Sequence, residues 1–153
     1  MVNLAETGTP AHEAQQLFFE IGMRQREAVG AELAKLGLTF TLAHALRLLD
    51  PERPMPMNEL ARHLSCDASN VTGLADRLEK RGLIARRPAE HDRRVKALTL
   101  TPAGIELRAR ALDLMTRPPD ALAALPIEDQ ICLRDILRRA ARGAGEREEA
   151  LQD

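Results

Sequence analysis

Apolar residues recur at helical spacing along most of this chain. Across residues 11–36, Phe18, Ile21, Val29, Leu33 and Leu36 fall near one stripe, with Glu20, Arg24, Arg26 and Lys35 off it, and Gly37 ends the pattern. Leu42, Ala45, Leu46 and Leu49 predict a second helix over 41–49, which Asp50-Pro51 and Pro54 break. A short helix over 57–64 has an apolar edge of Leu60, Ala61 and Leu64. Ser65-Cys66-Asp67 reads as a tight turn, with Asp67 as N-cap of a helix over 68–81. There Val71, Leu74, Ala75 and Leu78 stand at i, i+3, i+4 and i+7, one buried face. Ser69, Asn70, Thr72, Gly73, Asp76, Arg77 and Lys80 take the other, and Gly82 stops the helix.

The period then changes. Residues 83–87 and 95–100 predict two short strands around a polar turn at 88–94, a β-hairpin with a charged tip. Thr101-Pro102 starts another helix, as an N-cap followed by proline at the first position; it runs to about 115 and stops before Pro118-Pro119. A last helix follows Pro126 and reaches about 142, with Leu133, Ile136, Leu137 and Ala140 on one face. Residues 1–10 read as a loose leader and 143–153 as a polar, frayed tail. The predicted class is mainly α with a small β wing. A winged helix-turn-helix occupies 39–101, and helices at 11–36 and 102–142 form a dimerisation region.

Composition supports a helical core. The 153 residues are 44% hydrophobic, yet include no Trp, no Tyr and three Phe. Leu, Ala, Ile and Val without large aromatics suit packed helices better than a β-sandwich. A monomer of this kind has a thin core, and pairing helices between subunits is the natural remedy. Cys66 and Cys132 are too few for a disulfide framework. The chain opens without a basic start or long apolar run, and no stretch approaches the roughly 18 apolar residues of a membrane span. The expectation is a cytoplasmic protein with no membrane partner.

Net charge is −1, but its distribution is uneven. Between Arg62 and Lys96 stand nine Lys/Arg against five acids, while the rest of the chain carries thirteen against eighteen. A basic centre on an acidic frame points to an anionic partner, although a charge run can equally be a solvated face. Two short helices across a turn, then a hairpin, give that partner a shape. A helix fits the major groove of DNA, where each base pair presents its own donor and acceptor pattern. Ser69, Asn70 and Thr72 are short and polar enough to read base edges there. Arg77, Lys80 and Arg81 can reach phosphates. Arg86 is either a further phosphate contact or a solvated strand residue. Arg93 and Arg94 at the hairpin tip can enter the minor groove, where negative potential attracts guanidinium.

These residues resemble the MarR (multiple antibiotic resistance regulator) family. The likeness lies in Leu74-Ala75-Asp76-Arg77-Leu78-Glu79-Lys80-Arg81-Gly82-Leu83-Ile84, then Asp92-Arg93-Arg94, then Leu98-Thr99-Leu100-Thr101 and Gly104. It is dense over about fifty residues. The resemblance implies a homodimer interlocked through helices near both termini, acting as a transcription regulator, most simply a repressor. It implies that Asp92 pairs with a helix arginine, here Arg77, to set the wing, and that Arg94 enters the minor groove. The Arg77–Asp92 pair also has a purely structural reading, as a salt bridge that holds the hairpin. Gly73 departs from the family pattern, where a longer side chain is common.

Small aromatic or phenolic ligands are a further implication of the resemblance. Met23, Phe40, His44 and Arg47 can line a pocket near the junction where such anions bind in the family. The plain alternative is a packed or solvent-facing histidine. Cys66 at the reading helix's entrance offers a thiol-based redox alternative, since a helix N-terminus favours a thiolate. The family's thiol sensors carry the reactive cysteine near the start of the first long helix, and this chain has none there, so a passive side chain is the stronger reading. His63 and Cys66 stand at i, i+3, but two ligands do not close a zinc site. No nucleophile with its base, paired carboxylates, phosphate loop or metal motif stands out. No enzyme, cofactor or metal is therefore expected. A winged helix that binds protein instead of DNA is the remaining alternative.

Overall fold

The computed structural model describes residues 8–88 and 96–149. The element order is α1 (Pro10–Lys35), α2 (Phe40–Leu48), β1 (Met55–Pro56), α3 (Met57–Leu64), α4 (Ala68–Lys80), β2 (Ile84–Pro88), β3 (Lys96–Leu100), α5 (Pro102–Thr116), α6 (Asp120–Ala123) and α7 (Ile127–Glu149). Two compact units divide them: Met23–Arg117, and Met1–Gly22 with Pro118–Asp153. The helical frame expected over 11–36 and 102–142 is thus shared between the two.

The unit Met23–Arg117 holds the core. Leu33, Leu46, Leu49, Leu60, Val71, Leu78 and Leu98 are its largest fully buried side chains. Branched aliphatics from every helix of the motif meet there, so apolar burial fixes the angle between α3 and α4. No polar or charged residue is fully buried among the described residues.

Helix ends are closed by local bonds. Thr39 caps α2, its hydroxyl accepting from the Leu42 N–H, and Thr101 caps α5 through Gly104 N–H with Pro102 behind it. At the end of α4, Gly82 sits at φ +69, with Gly82 N–H donating to Glu79 O and Leu83 N–H to Leu78 O. This pair of bonds is a Schellman closure. Gly37 closes α1 the same way at φ +67, through Ala34 O and Leu33 O. Between α3 and α4 the turn passes through Ser65 at φ 49, a left-handed position held by a side chain with a Cβ. Asp67 stands at the N-cap of α4 with extended backbone, but its carboxylate makes no capping bond.

The sheet has three strands in the order β1-β3-β2, all antiparallel. Strand β1 was absent from the sequence expectation. Its two residues pair Met55 with Leu98 and Pro56 with Ala97. Pro54 and Pro56 signal a break in the sequence, yet an edge strand tolerates proline because one side of it needs no donor. Two further corrections concern the C-terminal unit. The short helix α6 follows Pro118-Pro119, and α7 continues as helix to Glu149 where a frayed tail was expected. Ala, Arg and Glu, all strong helix formers, dominate 140–149 and outweigh Gly143 and Gly145.

Candidate nucleic-acid interface

Helix α4 is two-faced. Val71, Ala75 and Leu78 are fully buried and Leu74 nearly so. Ser69, Asn70, Thr72, Gly73, Asp76, Arg77 and Lys80 are exposed. The structure therefore brings the helix residues of the expected reading surface together on one solvent-facing row. Short polar side chains cluster at the N-terminal end, where unpaired backbone N–H groups also favour an anion. Cations occupy the last turn. Beside the turn, Asn58 and Arg62 of α3 line an open groove with Ser65, Cys66, Asp67 and Asn70. Sequence reasoning did not single out Asn58 or Arg62, although their polar positions opposite Leu60 and Leu64 carry the signal.

Two of the cations lie elsewhere than a simple reading of charge would place them. Arg86 on β2 directs its guanidinium at α4, with Nη2 2.5 Å from Asp76 Oδ1 and Nη1 3.1 Å from Glu79 Oε2. Strand register explains this. Arg86 pairs with Leu98 and shares a face with Ile84, two buried residues, so its stem points toward the core and its head emerges against α4. Its side chain is 20% exposed. The phosphate-or-solvent choice thus gives way to a third role, a clamp between the wing's first strand and the reading helix. Arg81, read as a phosphate contact, donates Nη1 to Gly37 O at 2.6 Å and Nη2 to Leu36 O at 2.9 Å.

The wing tip, 89–95, lies outside the described residues. The expected Arg77–Asp92 pair and the wing-tip Arg93 and Arg94 fall on or reach into that segment. The strands that carry the tip are in register from Ile84–Leu100 to Pro88–Lys96.

Of the four residues expected to line a ligand pocket, His44 and Arg47 are in contact with each other and Phe40 meets Arg26. Arg26 Cζ lies 4.5 Å over the Phe40 ring, a cation–π contact, and Gly30 leaves room for that ring. One turn along α2, Arg47 Nη2 is 3.0 Å from His44 Nε2. A guanidinium can only donate, so Nε2 accepts and the imidazole is neutral. Burial, and then the Arg47 charge, pull the His44 pKa below its ordinary value. Met23 is exposed on α1. Cys66 is half-buried and Cys132 exposed. Among the described residues no cluster of His, Cys, Asp and Glu could hold a metal ion, and no helix is long and apolar enough to cross a membrane.

A reading helix set across a tight turn from its support, followed by an antiparallel hairpin, defines a winged helix-turn-helix. Residues 38–96 match the MarR family. A transcriptional repressor of Mycobacterium tuberculosis is 33% identical over 125 residues, covering 80% of this chain and 89% of that one. The chain belongs to the MarR family and is a DNA-binding transcriptional regulator. The organic hydroperoxide resistance transcriptional regulator of Bacillus subtilis is 32% identical over 82 residues, 54% of this chain, and the match spans 56% of that protein. A MepR variant of Staphylococcus aureus, solved bound to an oligodeoxyribonucleotide, superposes with a TM-score of 0.67 at 23% identity, over 86% of this chain and 97% of that one.

Proposed function

We propose that the chain is a homodimeric repressor that binds a pseudo-palindromic operator through α4 in the major groove and the wing in the minor groove. The observation that carries this is the exposed row Ser69, Asn70, Thr72, Arg77 and Lys80 on a helix whose other face is buried. The first three read base edges; Arg77 and Lys80 hold phosphates, joined by Arg62 across the groove. Arg94 and Arg93 supply the minor-groove contact, and Asp92 sets the wing against Arg77. Half-sites of such a dimer stand about 10 base pairs apart.

The dimer is supported by apolar surface that the single chain leaves uncovered. In the unit built from the two ends of the chain, Leu17, Phe18 and Phe19 on α1 and Ile127, Ile131, Ile136 and Leu137 on α7 are all exposed. Pro118, Leu122, Leu133 and Leu137 line an open cavity of about 600 Å³ there. Exposed apolar area on this scale marks a protein interface.

Release follows when a small aromatic or phenolic anion changes the spacing of the two reading heads. Phe40, His44, Arg47 and Met23 are the residues that would receive it. Cys66 is passive in this scheme. Fluorescence anisotropy on duplexes enriched from a random pool tests the core of the proposal. Tight binding to a two-fold site, falling steeply with salt, is expected. Failure to enrich any sequence would favour a winged helix that binds protein. A thermal-shift screen with phenolic acids tests the ligand, and Cys66→Ser the thiol: binding that loses hydroperoxide sensitivity in that variant would revive the redox reading.

A further inference from the structure

Arg81 joins two helix ends. Its backbone occupies the C-cap of α4, and its side chain reaches the C-terminus of α1. There the Schellman closure uses Leu33 O and Ala34 O, which leaves the carbonyls of Leu36 and Gly37 pointing outward. The guanidinium takes both with two short bonds from separate nitrogens, 2.6 and 2.9 Å. The fit is close. A Cβ on Gly37 would lie 3.3 Å from Arg81 Nη2, and φ +67 already demands glycine. The delocalised cation thereby meets the negative end of the α1 dipole, while the backbone of the same residue closes α4. Arginine suits the task because its rigid fork spans two acceptors, whereas lysine is a point charge.

We propose that Arg81 is a positioning residue for DNA binding: it locks the reading helix to the end of α1, so that the spacing between two reading heads is carried by α1 and not by loops alone. This rests on the dimeric reading above, in which the other end of the same 26-residue helix bears Leu17, Phe18 and Phe19. Arg81 then contributes to the choice of half-site spacing and makes no phosphate contact.

The test uses the full chain and the duplex that the wild type enriches from random DNA, together with versions carrying one base pair added or removed between half-sites. One base pair rotates a half-site by about 35°. The wild type should discriminate sharply against both shifted duplexes. Arg81→Lys keeps the charge but loses the fork. It should lower the ratio of native to shifted affinity roughly fivefold or more, with the slope of log K against log salt unchanged. Loss of folded protein alone lowers all affinities together and leaves the ratio intact, so an unchanged ratio overturns the proposal whatever happens to stability. A phosphate contact predicts instead that Arg81→Lys binds like the wild type and that Arg81→Met reduces the salt slope by about 1.8, about 0.9 for each of the two copies in the dimer; that result also overturns it. If the wild type enriches no duplex, the DNA-binding reading fails and this inference falls with it.

Discussion

At residue scale, three positions carry sharp predictions. Gly104 sits where α5 leaves the sheet, and a Cβ there would lie 1.9 Å from the Leu83 carbonyl oxygen. That oxygen already accepts from Thr101 N–H at 3.0 Å, so neither partner can retreat without opening the cap. Gly104→Ala should cost about 3 kcal/mol and lower Tm by roughly 10 °C; an unshifted melting curve would show that α5 can slide. Gly73 is the opposite case. It stands mid-helix with nothing within 4 Å of its missing Cβ. Gly73→Ala should stabilise the protein by about 1 kcal/mol, read from denaturant unfolding. His44 gives a pH dependence. Its folded pKa lies below the ordinary 6.5, so the unfolded chain takes up the proton first. Stability from this group is present above that ordinary value and is lost as pH falls through it toward the lower folded pKa. His44→Gln should therefore lose less stability than the wild type between about pH 7 and 5, and parallel pH curves would contradict the assignment.

At the scale of elements, the wing's attachment is the part that charge counting misassigned. Alternation along β2 places Ile84 and Arg86 on one face, and Ile84 is buried. That alternation was legible, and it implies an inward Arg86; only the position of Asp76 and Glu79, one turn apart on α4, needed three dimensions. The recognition helix itself was readable from its period because four apolar positions at i, i+3, i+4 and i+7 leave a single solution. Strand β1 was not, since two residues carry no period. Arg81 was not, since its partners are backbone carbonyls 44 and 45 positions away. Arg86→Gln should leave two bare carboxylates on the reading helix. We expect a stability loss of about 1 kcal/mol, given that both acids are well exposed, and weaker DNA binding. Replacing Arg86, Asp76 and Glu79 together by Met, Asn and Gln should recover the stability, because no uncompensated charge remains. A triple variant less stable than the single one would mean the clamp is worth more than its packing.

At the scale of the whole molecule, the uncovered apolar surface sets the strongest demand. Phe18 is 70% and Phe19 67% exposed, and Ile127 61%, on helices drawn from opposite ends of the chain. Large apolar side chains exposed together in this way mark an interaction surface. In the proposed dimer a second copy meets this demand with a self-complementary patch, as two-fold symmetry requires. Such a dimer also carries two reading heads. A single helix contacting a few base edges binds weakly, whereas joining two heads makes the second contact intramolecular and multiplies affinity at a two-fold site. A chain ending at Thr116 removes α6 and α7 but keeps every element of the winged helix-turn-helix. It should sediment as a monomer, and its affinity for a two-half-site duplex should drop toward that for a single half-site. Far-ultraviolet circular dichroism separates this from unfolding, because the core around Leu46, Leu60 and Leu78 lies within the retained residues. A folded dimer without the last helices would show that α6 and α7 are not needed for the interface and would leave it to the retained helices, α1 with Leu17, Phe18 and Phe19 among them.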